Sequence, residues 1–168
     1  MKHQEKKYRV EDFAAIERKL TTLNAKKVGQ SSSTHYYAPQ PNNDVVKLVE
    51  HSDRCEIHML AEADGKFALT QRVALKDLHE GLEWLRENGY DEVAVVKMRN
   101  TDFEYRGGVV GLYVINDFLY SVILDFPSGE HDGVAQELGM SGAEAIDVPY
   151  NTYLERLGRL ELSKVAEP

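Results

Sequence analysis

A single cysteine, Cys55, stands in 168 residues, so no disulfide can close within the chain. A reducing compartment, the cytoplasm, is the expected setting. Basic residues are in deficit, with 28 acids against 20 lysines and arginines and a net charge of −8. That balance argues against bulk binding to a nucleic acid polymer or an anionic membrane, while leaving room for a local basic pocket. No apolar run approaches the ~18 residues of a membrane span. The opening MKHQEKKYRV has no apolar stretch behind its basic residues and does not read as a signal peptide. Internal repeats, low-complexity tracts and long linkers are also lacking. What remains is ample for a core: 42% hydrophobic and 29% charged residues suit one folded domain over positions 1–168.

Helical spacing occurs three times. Phe13, Ile16, Leu20 and Leu23 form one apolar stripe, and Leu78, Leu82 and Leu85 a second, with Asp77 before it and Gly89 behind. Tyr150, Tyr153, Leu154 and Leu157 form a third, opened by Pro149 and followed by Gly158. A short helix from Asp132 to Leu138 stops at Gly139. Period-two alternation predicts strands over 3–10, 45–50, 54–61, 66–75, 92–100, 109–116 and 118–126. Asp64-Gly65 suits a tight hairpin turn. Residues 30–44, rich in serine, proline and asparagine, read as a loop interrupted by a short strand at Thr34–Tyr37. This order favours an α+β fold with a largely antiparallel sheet.

The polar strand faces carry the functional information. His3, Glu5, Lys7 and Arg9 share one side of their strand, with Tyr8 and Val10 on the other. Arg54, Glu56 and His58 share a face, as do Lys97 with Arg99 and Arg72 with Thr70; Lys47 and Asp125 are isolated charges in apolar strands. Either these faces look into water, as in an open antiparallel sheet, or the sheet closes and they line an interior. In the closed reading Lys7, Arg9, Lys47, Arg72, Lys97 and Arg99 stand against Glu5, Glu56 and Asp125. That local excess of positive charge suits a polyphosphate.

These residues also resemble a known group, the CYTH family or triphosphate tunnel metalloenzymes, which includes class IV adenylyl cyclases, thiamine triphosphatases and inorganic triphosphatases. His3-Gln4-Glu5-Lys6-Lys7-Tyr8 resembles the family's Glu-x-Glu-x-Lys strand. Thr34-His35-Tyr36-Tyr37 is similar to its Asp-x-Tyr-Phe strand, and Lys97-Met98-Arg99 to its Lys-x-Arg strand. Pro149-Tyr150-Asn151-Thr152-Tyr153-Leu154 resembles its closing Ser-Tyr-x-x-Leu segment. The resemblance runs in order through nearly the whole chain and implies a closed or nearly closed antiparallel β-barrel, the tunnel, with helices packed outside. It further implies a triphosphate-bearing small molecule as ligand and one or two Mg²⁺ or Mn²⁺ ions as cofactor. Glu5 is then a metal ligand and Lys7 a phosphate contact, both catalytic. Asp125 is the second metal ligand, and Lys47, Lys97 and Arg99 complete the phosphate set, to which the parity of the polar faces adds Arg9 and Arg72.

The chain departs from the family pattern at several acids. His3 replaces the first glutamate of the signature, and Thr34, Tyr113 and Ile123 stand where further carboxylates are expected. Val49 replaces a base, and Leu69-Thr70-Gln71-Arg72 lacks any acid. Two functional readings follow. One is a tunnel protein with weak metal-dependent phosphohydrolase or adenylyl cyclase-type activity. The other is a catalytically degenerate binding or protein-interaction module on the same barrel. Other motifs carry less. His51, Cys55 and His58 do not converge as zinc ligands, because a strand turns positions 55 and 58 to opposite faces. Gly107-Gly108-Val109-Val110-Gly111 lacks the ending of a phosphate loop and reads as a bend at a strand start.

Overall fold

The computed structural model of the chain describes residues 2–165. Its elements in order are β1 (His3–Val10), α1 (Ala14–Thr22), β2 (Lys26–Ala38), β3 (Val45–His51), β4 (Cys55–Ala63), β5 (Lys66–Leu75), α2 (Leu78–Glu87), β6 (Glu92–Tyr105), β7 (Gly108–Ile115), β8 (Leu119–Pro127), α3 (His131–Glu137), β9 (Glu144–Ile146), α4 (Tyr150–Arg156) and β10 (Glu161–Lys164). Hydrogen-bonded neighbours follow β5-β4-β3-β2-β6-β7-β8-β1-β9, with β10 on β6. The registered ladders are antiparallel. The fold is thus α+β with an antiparallel sheet, as expected. No helix among the described residues is long and apolar enough to cross a membrane.

The backbone gathers into two compact units, Met1–Ser31 with Met98–Asp147, and Ser32–Lys97 with Val148–Pro168. In the first, the predicted stripe of α1 buries Ile16 and Leu20 against Val110 and Leu112 of β7 and Val122, Leu124 and Phe126 of β8. Val134 and Ala135 of α3, then Leu138 and Met140, complete this core, and Tyr8, Val10, Phe103 and Tyr105 pack on its margin. Leu20, Leu124 and Phe126 are fully buried, and each contributes about 1.5–3 kcal/mol through apolar area removed from water.

In the second unit, Leu78, Leu82 and Leu85 of α2 pack with Leu48, Cys55 and Ile57 from β3 and β4. The start of α2 is held as its sequence suggests: the Asp77 carboxylate accepts from the Glu80 backbone N–H at 2.9 Å. In return the Glu80 carboxylate accepts from the Lys76 N–H at 2.5 Å. Tyr150, Tyr153 and Leu154 of α4 are buried, as their spacing predicts. Asp64 (φ 53°) and Gly65 (φ 75°) both lie in the left-handed region, which is the two-residue hairpin expected there.

Three boundaries differ from the expectation. Residues 30–38 belong to β2, which continues from Lys26 to Ala38, and are not mainly loop. Its first seven residues are exposed, so that half of the strand has no apolar face for alternation to reveal. Strand β6 runs on to Tyr105 instead of ending at residue 100. The short strands β9 and β10 were not expected, being three and four residues long.

Candidate functional site

In the first unit the polar face of β1 is legible from its neighbours. Glu5 lies opposite Asp125, Lys7 opposite Ile123 and Arg9 opposite Ser121 in the β1–β8 ladder. Across β7 the same rows continue to Val109, Gly111 and Tyr113, and on β6 to Glu104, Asp102 and Asn100. This face is the reverse of the one that buries Tyr8, Leu112 and Leu124. Directly opposed residues in a ladder hold their Cβ atoms about 4.5–5.5 Å apart, so Glu5 and Asp125 converge. His3 Nδ1 lies 3.4 Å from Asp125 Oδ1. Burial pulls the Lys7 ammonium down to about 8, against the opposing charges of Glu5 and Asp147.

Tyr113 sits among these acids. A Cβ on Gly111 would meet its ring at 2.6 Å and Asp102 Oδ1 at 3.1 Å, so glycine makes room for the ring. Burial, then the negative charges of Asp102, Glu5 and Asp125, push the phenol well above its ordinary range. It is therefore a neutral hydrogen-bonding group and no substitute for a carboxylate ligand. Asp102 accepts from Asn100 Nδ2 at 3.1 Å, and Asn100 Oδ1 accepts from Ser31 Oγ at 2.7 Å. The donor pair of Glu5 and Asp125 fits Mg²⁺ or Mn²⁺ at its minimum, since Mg²⁺ takes one or two carboxylates and fills its shell with water and phosphate oxygens. Among the described residues no group of three His, Cys, Asp or Glu converges to form a fuller cage.

In the second unit a basic row crosses four strands. Tyr37 lies opposite Lys47, Lys47 opposite His58 and His58 opposite Arg72. Lys47 Nζ stands 5.3 Å from the centroid of the Tyr37 ring, which is itself buried. Glu56 is the carboxylate of this face. Its Oε2 lies 2.7 Å from His58 Nε2 and 3.6 Å from Arg72 Nε, and its Oε1 lies 3.6 Å from Arg54 Nε. The hydrogen bond from His58 is the main cause that holds the Glu56 carboxyl below its ordinary range, helped by the Arg72 and Arg54 charges.

The remaining two candidates lie elsewhere. Arg99 pairs with Val114, one position out of step with Asn100 and Tyr113, so it shares the face of Thr101 and Phe103. There its guanidinium donates to Asp117 at 2.8 Å, an exposed ion pair. Lys97 is exposed and shares its parity with Val93 and Val95, which pack with the second core. Sequence reasoning missed Asp102 and Tyr37 as members of the two faces, and weighed His35 only with Ser31–Ser33 as part of a polar loop, where the structure has strand β2. The strand pattern Asn100-x-Asp102-x-Glu104 was the available signal. Cys55 faces the core and His58 the polar side, so the pair does not form a zinc site.

No family model matches the chain, and no curated protein does. Solved structures do. A protein from Pyrococcus horikoshii OT3 aligns with a TM-score of 0.74 and 20% identity, over 88% of this chain and 96% of that one. A Vibrio parahaemolyticus protein proposed to be an adenylate cyclase aligns with a TM-score of 0.72 and 14% identity, over 92% of this chain and 98% of that one. A Hippeastrum protein proposed to be an adenylyl cyclase, with a dominant triphosphatase activity, aligns with a TM-score of 0.61 and 9% identity, over 95% of this chain and 97% of that one. At these identities the likeness is one of fold. That fold is the one the sequence resemblance led us to expect, the fold of the CYTH family.

Proposed function

We propose that this protein binds a triphosphate-bearing small molecule and that any phosphoryl chemistry it performs is slow. The observation that carries this reading is the row Lys47–His58–Arg72 beside Tyr37, on a face with Glu56 as its carboxylate. Polyphosphate oxygens are met by charge-assisted hydrogen bonds from such groups. The triphosphatase activity of the Hippeastrum protein, and the cyclase role proposed for the Vibrio protein, support this choice of ligand.

The polar face of the first unit, taken by itself, carries the basic groups Lys7 and Arg9, and its Glu5 with Asp125 would hold a divalent ion. Such an ion supplies charge neutralisation at phosphate when bound. Lys7, half-buried and beside Glu5, would hold a proton there below about pH 8. The chemistry is slow in this reading because Tyr113 and Ile123 take the places of expected carboxylates. Positioning and electrostatic stabilisation make up nearly all of phosphoryl-transfer catalysis. The same substitutions favour the second reading, a binding module without turnover.

Thermal denaturation with inorganic tripolyphosphate and no metal tests the binding step. We expect stabilisation that is reduced in Lys47→Ala and in Arg72→Ala, each contact being worth on the order of 1.5–3 kcal/mol. Arg99→Ala, whose parent is held by Asp117 on the opposite strand face, should keep the full shift. An unchanged melting temperature across the titration would reject the reading.

A further inference from the structure

Three histidines lie on the polar face of the second unit, His58 within the row that carries the phosphate reading and His35 and His51 beside it. Ser33 is opposite His51, His35 opposite Val49, and Val49 opposite Glu56, one step along the strands from the Lys47–His58–Arg72 row. The imidazoles thus project from β2, β3 and β4 to the side that carries both cations. Arg54, in the turn before β4, adds a third cation, and its neighbour Asp53 lies 3.2 Å from it. Against these charges Glu56 is already engaged by His58, Arg72 and Arg54.

The free protein keeps this face tolerable by leaving the rings neutral. Burial lowers His35 well below its ordinary value, and Lys47, His51 and His58 lower it further. His58 is lowered by burial and by Lys47 and Arg72, although Glu56 pulls the other way. Burial, Arg54 and His58 lower His51, against Glu56 and Asp53. Geometry adds a separate constraint on His35. Its Nε2 is 3.0 Å from Ser33 Oγ, while its buried Nδ1 has no hydrogen-bond partner. An imidazolium has a donor on each nitrogen, so a protonated His35 would have one N–H to place. A phosphate anion on this face would relieve the repulsion and bring acceptor oxygens with it.

We infer that a polyphosphate seated beside Lys47 and Arg72 binds together with protons, taken up by His35, His51 and His58. This rests on the triphosphate reading of the same face and adds its regulation. The sign follows from linkage: the bound state holds more protons than the free state near neutral pH, so affinity rises as pH falls. Well above the histidine range the effect disappears, because the rings stay neutral in both states.

Calorimetric titration with inorganic tripolyphosphate, across about pH 6 to 8, tests the coupling in wild type and in the double variant His35→Asn/His58→Gln. The ligand's own protonation is common to both proteins, so the ratio of their affinities isolates the protein's protons. We expect that ratio to grow roughly tenfold in favour of wild type toward the acidic end. A ratio that stays constant while both proteins bind overturns the coupling and leaves the triphosphate reading standing. Absence of binding by wild type at every pH overturns both. A measurement without variants gives the same decision. Imidazole resonances of the wild-type protein, titrated with and without saturating tripolyphosphate, should show histidine pKa values moved upward by the anion, and unmoved values overturn the proposal.

Discussion

Lys7 is a base whose surroundings work against its charge. Burial lowers it from 10.5 to about 8, although Glu5 and Asp147 favour the ammonium. Unfolding frees it to titrate at its ordinary value, so the unfolded chain binds more protons between these two pH values. Stability therefore rises with pH across that window through this group, and the penalty of burying the ammonium is fully present below it. Chemical denaturation of wild type and Lys7→Met should diverge accordingly. The variant is expected to be the more stable at neutral pH by on the order of 2 kcal/mol, with the gap closing above pH 10. A gap independent of pH would show that Lys7 keeps its ordinary titration. Ile123 is the complementary case. It lies on the same strand face as Asp125, two positions away, and directly opposite Lys7. Ile123→Glu should therefore raise Mn²⁺ affinity, read by paramagnetic resonance, roughly tenfold. Adding Glu5→Gln should remove the gain; if it does not, Glu5 takes no part in holding the ion.

Helix α2 meets the sheet where two preferences conflict. Gly81 lies inside the helix, where alanine would favour helix formation by about 1 kcal/mol. A Cβ at that position would meet Leu48 Cδ1 at 2.5 Å and Cδ2 at 2.9 Å. Leu48 is fully buried in the second core, so its side chain has little room to move. Overpacking of this kind costs about 1–3 kcal/mol. Gly81→Ala should therefore lower the midpoint of urea denaturation, and a rise would mean that Leu48 repacks freely. The close approach also brings Leu82 and Leu85 onto the strands whose other faces carry Lys47 and His58. The packing of this helix and the placement of the basic row are thus consequences of the same strands.

At the scale of the whole chain, a net charge of −8 opposes an anionic ligand at long range, while the local row attracts it at contact. The two effects have different reach. The Debye length falls from about 30 Å at 0.01 M salt to about 10 Å at 0.1 M, which screens the distant acids before the contacting bases. Stopped-flow association of tripolyphosphate should accelerate over that salt range. An association rate that only falls with salt would indicate a protein dominated by its basic face. Each compact unit has its own core and its own polar strand face, so the local row belongs to a unit while the repulsion belongs to the molecule.

Much of this was determined by the sequence alone. Apolar spacing specified α1, α2 and α4, since a buried stripe must repeat with the helix turn. Alternation specified seven strands and which faces of β1, β4 and β5 are polar, because successive side chains must point to opposite sides. The order of motifs also pointed to the fold. Alternation has no means of registering an exposed strand, and so most of β2 escaped notice. Parity within one strand says nothing about which face of a neighbour it joins; that depends on ladder register. Register alone set Glu5 against Asp125 and Lys47 against His58 and Arg72, while turning Arg99 away to Asp117. It also brought His35, His51 and His58 onto one face from three strands. Such pairings join residues far apart in the chain through hydrogen bonds that local pattern does not encode, and for that reason only the tertiary structure decided them.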